Sequence, residues 1–214
     1  MRVRGATLPA TLSDAVTAVT AQSVQELRAR TGAGMMDCKK ALEQADGDMD
    51  KAAELLRARG AAKAEKRAGK VVREGLVGSY IHHNGKVGVL VEVNCETDFV
   101  DRNPEFHTLV RHVAEHIAAA APIAVDKDLV PADRVERERR IFEEQVRSSG
   151  KPAQMIEKIV SGKLDAFYRD VALLHQAWVR EPKKTVGELV QELSAKVGER
   201  IVIRRFTRYQ LGEE

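Results

Sequence analysis

The chain has 214 residues, with 35 Lys and Arg against 32 Asp and Glu, a net charge of +3, and 43% hydrophobic residues. These values exclude long disorder, and with no run of 18 apolar residues they exclude a membrane-spanning helix. Two cysteines, Cys38 and Cys95, cannot build a disulfide framework and suit a reducing, cytoplasmic compartment. Aromatic residues at 4% speak against a protein that binds single strands by base stacking.

Residues 1–22 carry Arg2 and Arg4 but no apolar stretch behind them, because Pro9, Ser13 and Asp14 interrupt it. They are therefore expected to be a flexible N-terminal extension rather than a signal peptide. From Ser23 to Gly60 the pattern is that of a three-helix module. Ser23 and Glu26 read as a capping box opening Val24–Thr31, which Gly32 ends. Met35, Cys38, Ala41, Leu42 and Ala45 recur at helical spacing, and Asp48 caps a third helix closed by Gly60. Residues 61–74 hold five basic against two acidic side chains and read as an exposed helical linker, with RNA or ribosome contact as the functional alternative to a solvated face.

The body, 75–214, is expected to be α+β: an antiparallel sheet covered by helices. Leu76–His83 and Lys86–Asn94 flank Asn84-Gly85, a strong hairpin signal, and Val87, Val89, Val91 and Val93 alternate as one buried face. Asn103 and Pro104 open a helix whose stripe is Phe106, Leu109, Val110, Val113 and Ile117. Two helices follow, over 133–149 and from Pro152. Thr185 and Glu188 then cap a last helix that Gly198 ends, before a strand over Glu199–Tyr209.

Three motifs invite chemistry. Thr31-Gly32-Ala33-Gly34 lacks the third glycine of a dinucleotide loop and the Lys-Ser/Thr of a phosphate loop, so no direct nucleotide binding and no cofactor is implied. His112, Glu115 and His116 match an inverted zinc-hydrolase pattern, but no third ligand is evident, and the histidines read as flanking the stripe toward solvent. The third stretch is Glu96-Thr97-Asp98-Phe99-Val100, which places Phe99 and Val100 between two aspartates where turn chemistry favours small polar residues. Either Phe99 folds onto the core or it is an apolar wedge for a partner.

At these residues the chain resembles the elongation factor Ts family, exchange factors for the translational GTPase EF-Tu. Glu26 to Leu42 is similar to the family's N-terminal signature, and Val91 to Val100 to its core signature. The similarity continues through Lys184-Thr185-Val186 and Arg204-Arg205-Phe206. The resemblance implies a module similar to a ubiquitin-associated (UBA) three-helix bundle that docks on the GTPase through Arg28, Met35 and Met36. It implies a loop, Thr97, Asp98, Phe99 and Val100, that pushes between helices of EF-Tu and dislodges its Mg²⁺. Longer relatives carry two core copies. This chain has one, in which Tyr80-Ile81-His82 resembles the other copy's hairpin, so Tyr80 and His82 are possible further contacts. A homodimer, formed through the strand with Ile201, Ile203 and Phe206 and the hairpin near Tyr80 and Val87, would supply the missing copy. No covalent chemistry, membrane contact or direct RNA contact is expected.

Overall fold

The computed structural model describes residues 19–66, 69–149 and 152–213. Most of the expected N-terminal extension therefore lies outside the described residues, as do positions 67 and 68 of the basic linker. The chain separates into two compact units, one up to Arg59 and one from Gly60 onward.

The first unit holds α1 (Ala21–Thr31), α2 (Met35–Gln44) and most of α3 (Met49–Lys66). Its small core is Val24, Leu27, Cys38, Ala41, Leu42, Ala45 and Ala52. Helix α1 begins one turn earlier than the Ser23–Glu26 pattern predicts. Thr20 is the cap, and its hydroxyl and that of Ser23 exchange hydrogen bonds with each other's backbone N–H. Two overlapping four-residue stretches, Thr20–Ser23 and Ser23–Glu26, offer an N-terminal cap, and the upstream one wins. Gly32, at φ 69°, closes α1 by donating its N–H to the Arg28 carbonyl. Gly60 does not end α3, which runs on to Lys66.

The second unit is α+β. Strands β1 (Glu74–Ile81) and β2 (Val87–Cys95) form a hairpin over a turn in which Gly85 adopts φ 69°. Strand β5 (Val202–Gln210) pairs antiparallel on the other side of β2, giving the order β1-β2-β5. A bulge at Arg204 restores the alternation, so that Ile203 and Phe206 both share the face of Val91 and Val93.

Helix α5 (Pro104–Ala120), capped by the Asn103 side chain, lies on that face. It approaches so closely that a Cβ at Gly78 would stand 2.3 Å from Val110 Cγ1. Phe106, Val113 and Ile117 complete the core with Val89, Val91, Val93 and Cys95.

Helices α6 (Ala132–Ser148) and α7 (Ala153–Val171) pack as a pair around Val146, Val160 and Leu164. A short hairpin, β3 (Ala177–Trp178) and β4 (Glu181–Thr185), stands where the sequence pattern predicts no strand. Helix α8 (Val186–Val197) opens with the expected Thr185–Glu188 capping box and ends at Gly198, φ 79°.

The surface expected for self-association needs correction. Ile201 and Ile203 are buried, and Tyr80, Val87 and Phe206 pack against the same core, because all of them point toward α5 and α8. In a strand the neighbouring residues face the other way. The uncovered face therefore carries Val77, Ile81, Leu90 and Tyr209, all exposed.

Candidate functional site

The stretch that ends β2 is built residue by residue. Cys95 is buried, and burial pushes its thiol up to about 11, so it stays protonated and donates to the Thr97 carbonyl at 3.2 Å. Thr97 is the N-cap of a single helical turn, α4 (Asp98–Asp101), yet its hydroxyl does not cap that turn. The hydroxyl donates to Glu199 Oε1 at 2.6 Å, and the Thr97 N–H donates to Glu199 Oε2 at 3.0 Å. Beside it the exchange is reversed: the Arg200 N–H donates to Glu96 Oε1 at 2.7 Å, and Lys70 binds Glu96 Oε2 at 2.6 Å. Two turns about a hundred residues apart are thus joined by three hydrogen bonds, and Lys70 adds a fourth polar contact to the first of them.

On this mount the two apolar residues part. Successive residues of a helical turn point about 100° apart, so Val100 enters the core at 6% exposure while Phe99 stands out at 82%. Val100 therefore anchors the turn and Phe99 projects from it. Leaving a phenyl ring in water forgoes about 1.5–3 kcal/mol of burial, so the fold gains nothing from this ring. Asp98 pairs with Arg102 at 2.7 Å along the same turn.

In the first unit Arg28, Met35 and Met36 are exposed, the methionines at 43% and 61%. Met35 falls outside the buried stripe with which its spacing grouped it, while Cys38, Ala41, Leu42 and Ala45 of that stripe are buried. At the β1–β2 turn, the Tyr80 hydroxyl lies 2.9 Å from His82 Nδ1, and the His82 and His83 rings are 4.2 Å apart.

The histidine motif on α5 is not a pair flanking toward solvent. His116 is fully buried, and both of its ring nitrogens are engaged. Gln176 donates its amide to the Ala120 and Asp170 carbonyls, which turns its Oε1 toward His116 Nε2 at 3.0 Å. The Val179 N–H donates to Nδ1 at 3.3 Å. This arrangement fits only the neutral ring protonated on Nε2, and burial holds its pKa below the ordinary histidine value. His112, lowered chiefly by burial and then by Arg180, lies against the Trp178 ring, while Glu115 pairs with Arg180. Among the described residues no group of three or more His, Cys, Asp or Glu is placed to hold a metal ion, and no helix is long and apolar enough to cross a membrane.

Sequence reasoning missed Glu199. Its partner Thr97 is 102 positions away, and it read only as the start of a strand.

Compared with known families, residues 5–213 match the profile described as Elongation factor TS. Curated relatives named Elongation factor Ts include the protein of Fervidobacterium nodosum, 54% identical over 91% of this chain and 99% of its own length. That of Geobacter metallireducens is 55% identical over 91% of this chain and 90% of its own, and that of Myxococcus xanthus 53% over 91% and 89%. With a family match across nearly its whole length and relatives above half identity, the chain belongs to the elongation factor Ts family.

Proposed function

We propose that this chain is a guanine-nucleotide exchange factor of translation elongation. It binds EF-Tu carrying GDP and inserts the Thr97–Val100 turn with Phe99 leading. That insertion dislodges the partner's Mg²⁺, and GDP leaves so that GTP can bind. The observation that carries this reading is a fully presented aromatic ring on a turn whose base is fixed by hydrogen bonds. Exposed aromatics on rigid mounts are interface anchors, because they bring large contact area at little ordering cost.

The physical logic is linkage. Whatever binds the nucleotide-free GTPase more tightly weakens nucleotide binding by the same factor. Accelerating release a thousandfold requires about 4 kcal/mol off the barrier. One buried aromatic anchor supplies roughly 2–4 kcal/mol, and docking of the UBA-like module through Arg28, Met35 and Met36 supplies the rest. Tyr80 and His82 at the hairpin turn offer a further contact. This chain needs no cofactor and makes no bond; it acts in the cytoplasm, without binding nucleotide, RNA or membrane itself. Two copies associate through the exposed sheet face, so that the partner subunit replaces the second core copy of longer relatives.

The test is release of labelled GDP from EF-Tu. The wild-type chain accelerates it, and Phe99→Ala slows it at least about tenfold with an unchanged melting curve. A Phe99→Ala variant that exchanges at the wild-type rate overturns the wedge.

A further inference from the structure

We propose that Glu199 is a positioning residue for exchange: its carboxylate, acting through Thr97, sets the direction in which Phe99 projects. This inference rests on the wedge reading above and adds a residue to it. Phe99 is 82% exposed, so its direction is fixed by the backbone beneath it rather than by packing of its ring. That backbone is one turn of four residues, far below the length at which a helix holds itself. Its order must come from its two ends. The C-terminal end is held by Val100 in the core and by Asn103, whose N–H donates to the Val100 carbonyl at 3.0 Å. The N-terminal end is Thr97, and there one carboxylate takes both the N–H and the hydroxyl.

Glu199 is itself well anchored. It follows Gly198, which ends α8, and its own carbonyl accepts from the hydroxyl of buried Ser194. Ile201, two residues on, is buried in the core. The carboxylate is therefore presented from a fixed point. Without it, Cys95 still holds the Thr97 carbonyl and Arg200 and Lys70 still hold Glu96, but the Thr97 N–H and hydroxyl lose their partner and the turn is loosened at its N-terminal end. The aromatic ring must then be ordered at the moment of insertion, and that cost falls on the exchange step. Docking of the separate methionine-bearing unit is not affected.

The experiment is a double-mutant cycle read by labelled GDP release from EF-Tu under saturating factor. Glu199→Ala is expected to lower the saturated rate about tenfold, as for a group misplaced rather than removed, with a smaller change in the half-maximal concentration. Glu199→Gln keeps one acceptor for the N–H and one donor to the hydroxyl oxygen, and should stay within about twofold of wild type. In a Phe99→Ala background, Glu199→Ala should add almost nothing, since no ring remains to be aimed. Amide exchange at Thr97 should quicken in Glu199→Ala while that of the β2 core does not.

Losses that multiply in the double variant, a Glu199→Gln as slow as Glu199→Ala, or a Glu199→Ala at the wild-type rate would each overturn the positioning role while leaving the wedge standing. A Phe99→Ala single variant without effect overturns both. Should Glu199→Ala lower the melting temperature, Thr97→Val, which removes only the hydroxyl bond, carries the same cycle.

Discussion

Adjacent side chains in this protein serve opposite ends, and substitutions separate them. Val100→Ala removes buried methyl groups at 6% exposure and should cost about 1–2 kcal/mol of stability, whereas Phe99→Ala should leave stability unchanged. Denaturation of the two variants side by side checks this; equal losses would return Phe99 to the core. Asp98→Ala removes the Arg102 pairing and should slow exchange in the same direction as Phe99→Ala, but less. His116 carries a pH prediction. Its ordinary value is 6.5 and burial lowers it in the fold, so below that pH the unfolded chain takes up a proton that the native ring refuses. Stability is therefore full above about pH 6.5 and falls as the pH drops below it, by up to about 1.4 kcal/mol per pH unit for one proton. His112 is shifted the same way and steepens the fall. Urea denaturation at pH 7.5 and 5.5 measures it, and His116→Gln should be less stable at 7.5 but show a flatter slope. A wild type equally stable at both values would mean that the ring is not buried neutral in solution.

At the scale of elements, what the sequence made legible is what obeys short-range rules. The Thr185–Glu188 box, the Asn84-Gly85 turn and the Asn103-Pro104 helix start each depend on residues within four positions, and each stands where local chemistry puts it. The β3–β4 hairpin was illegible because Glu181-Pro-Lys-Lys-Thr185 has no alternating apolar pattern; it pairs only where tertiary contacts deliver it. The same arrival decides the fate of His116, which helical periodicity set at the margin of the stripe and Gln176 and Val179 then enclose. Thr97 was legible as part of a motif, while Glu199 was not, because no pattern within one segment records a contact across 102 positions. In the first unit, Met35 and Met36 sit at the start of α2 with their side chains exposed. Replacing both by alanine should leave the melting curve in place and raise the factor concentration for half-maximal exchange, with little change in the saturated rate. A lowered melting temperature instead would assign them to the unit's own core.

At the scale of the whole molecule, the sheet of the second unit has, among the described residues of that unit, helices on one face only. Its other face presents Ile81, Gly88 and Tyr209 in one row across the strands, Ser79, Leu90 and Thr207 in the next, and Val77, Glu92 and Arg205 in a third. Val77, Ile81 and Tyr209 are each at least two-thirds exposed, and Leu90 is half exposed. The Glu92–Arg205 pair at 2.7 Å closes the apolar area on one side. A contiguous apolar face rimmed by charge marks an interaction surface. A twofold axis through it would bury the same residues from both copies, which is the commonest closed assembly. Sedimentation at micromolar concentration should therefore give about twice the 23.7 kDa chain mass. Leu90→Asp, in the middle strand of that face, should give the single-chain mass while preserving helical content, since the side chain is half exposed and lies on the face opposite Val89 and Val91. If the wedge and the docking unit suffice within one chain, the monomeric variant exchanges at the wild-type rate. If the partner subunit supplies a contact in place of a second core copy, the variant needs a higher concentration for half-maximal exchange. A wild-type chain that sediments as 23.7 kDa and is fully active there would remove the dimer from the mechanism and leave the exposed face to a different partner.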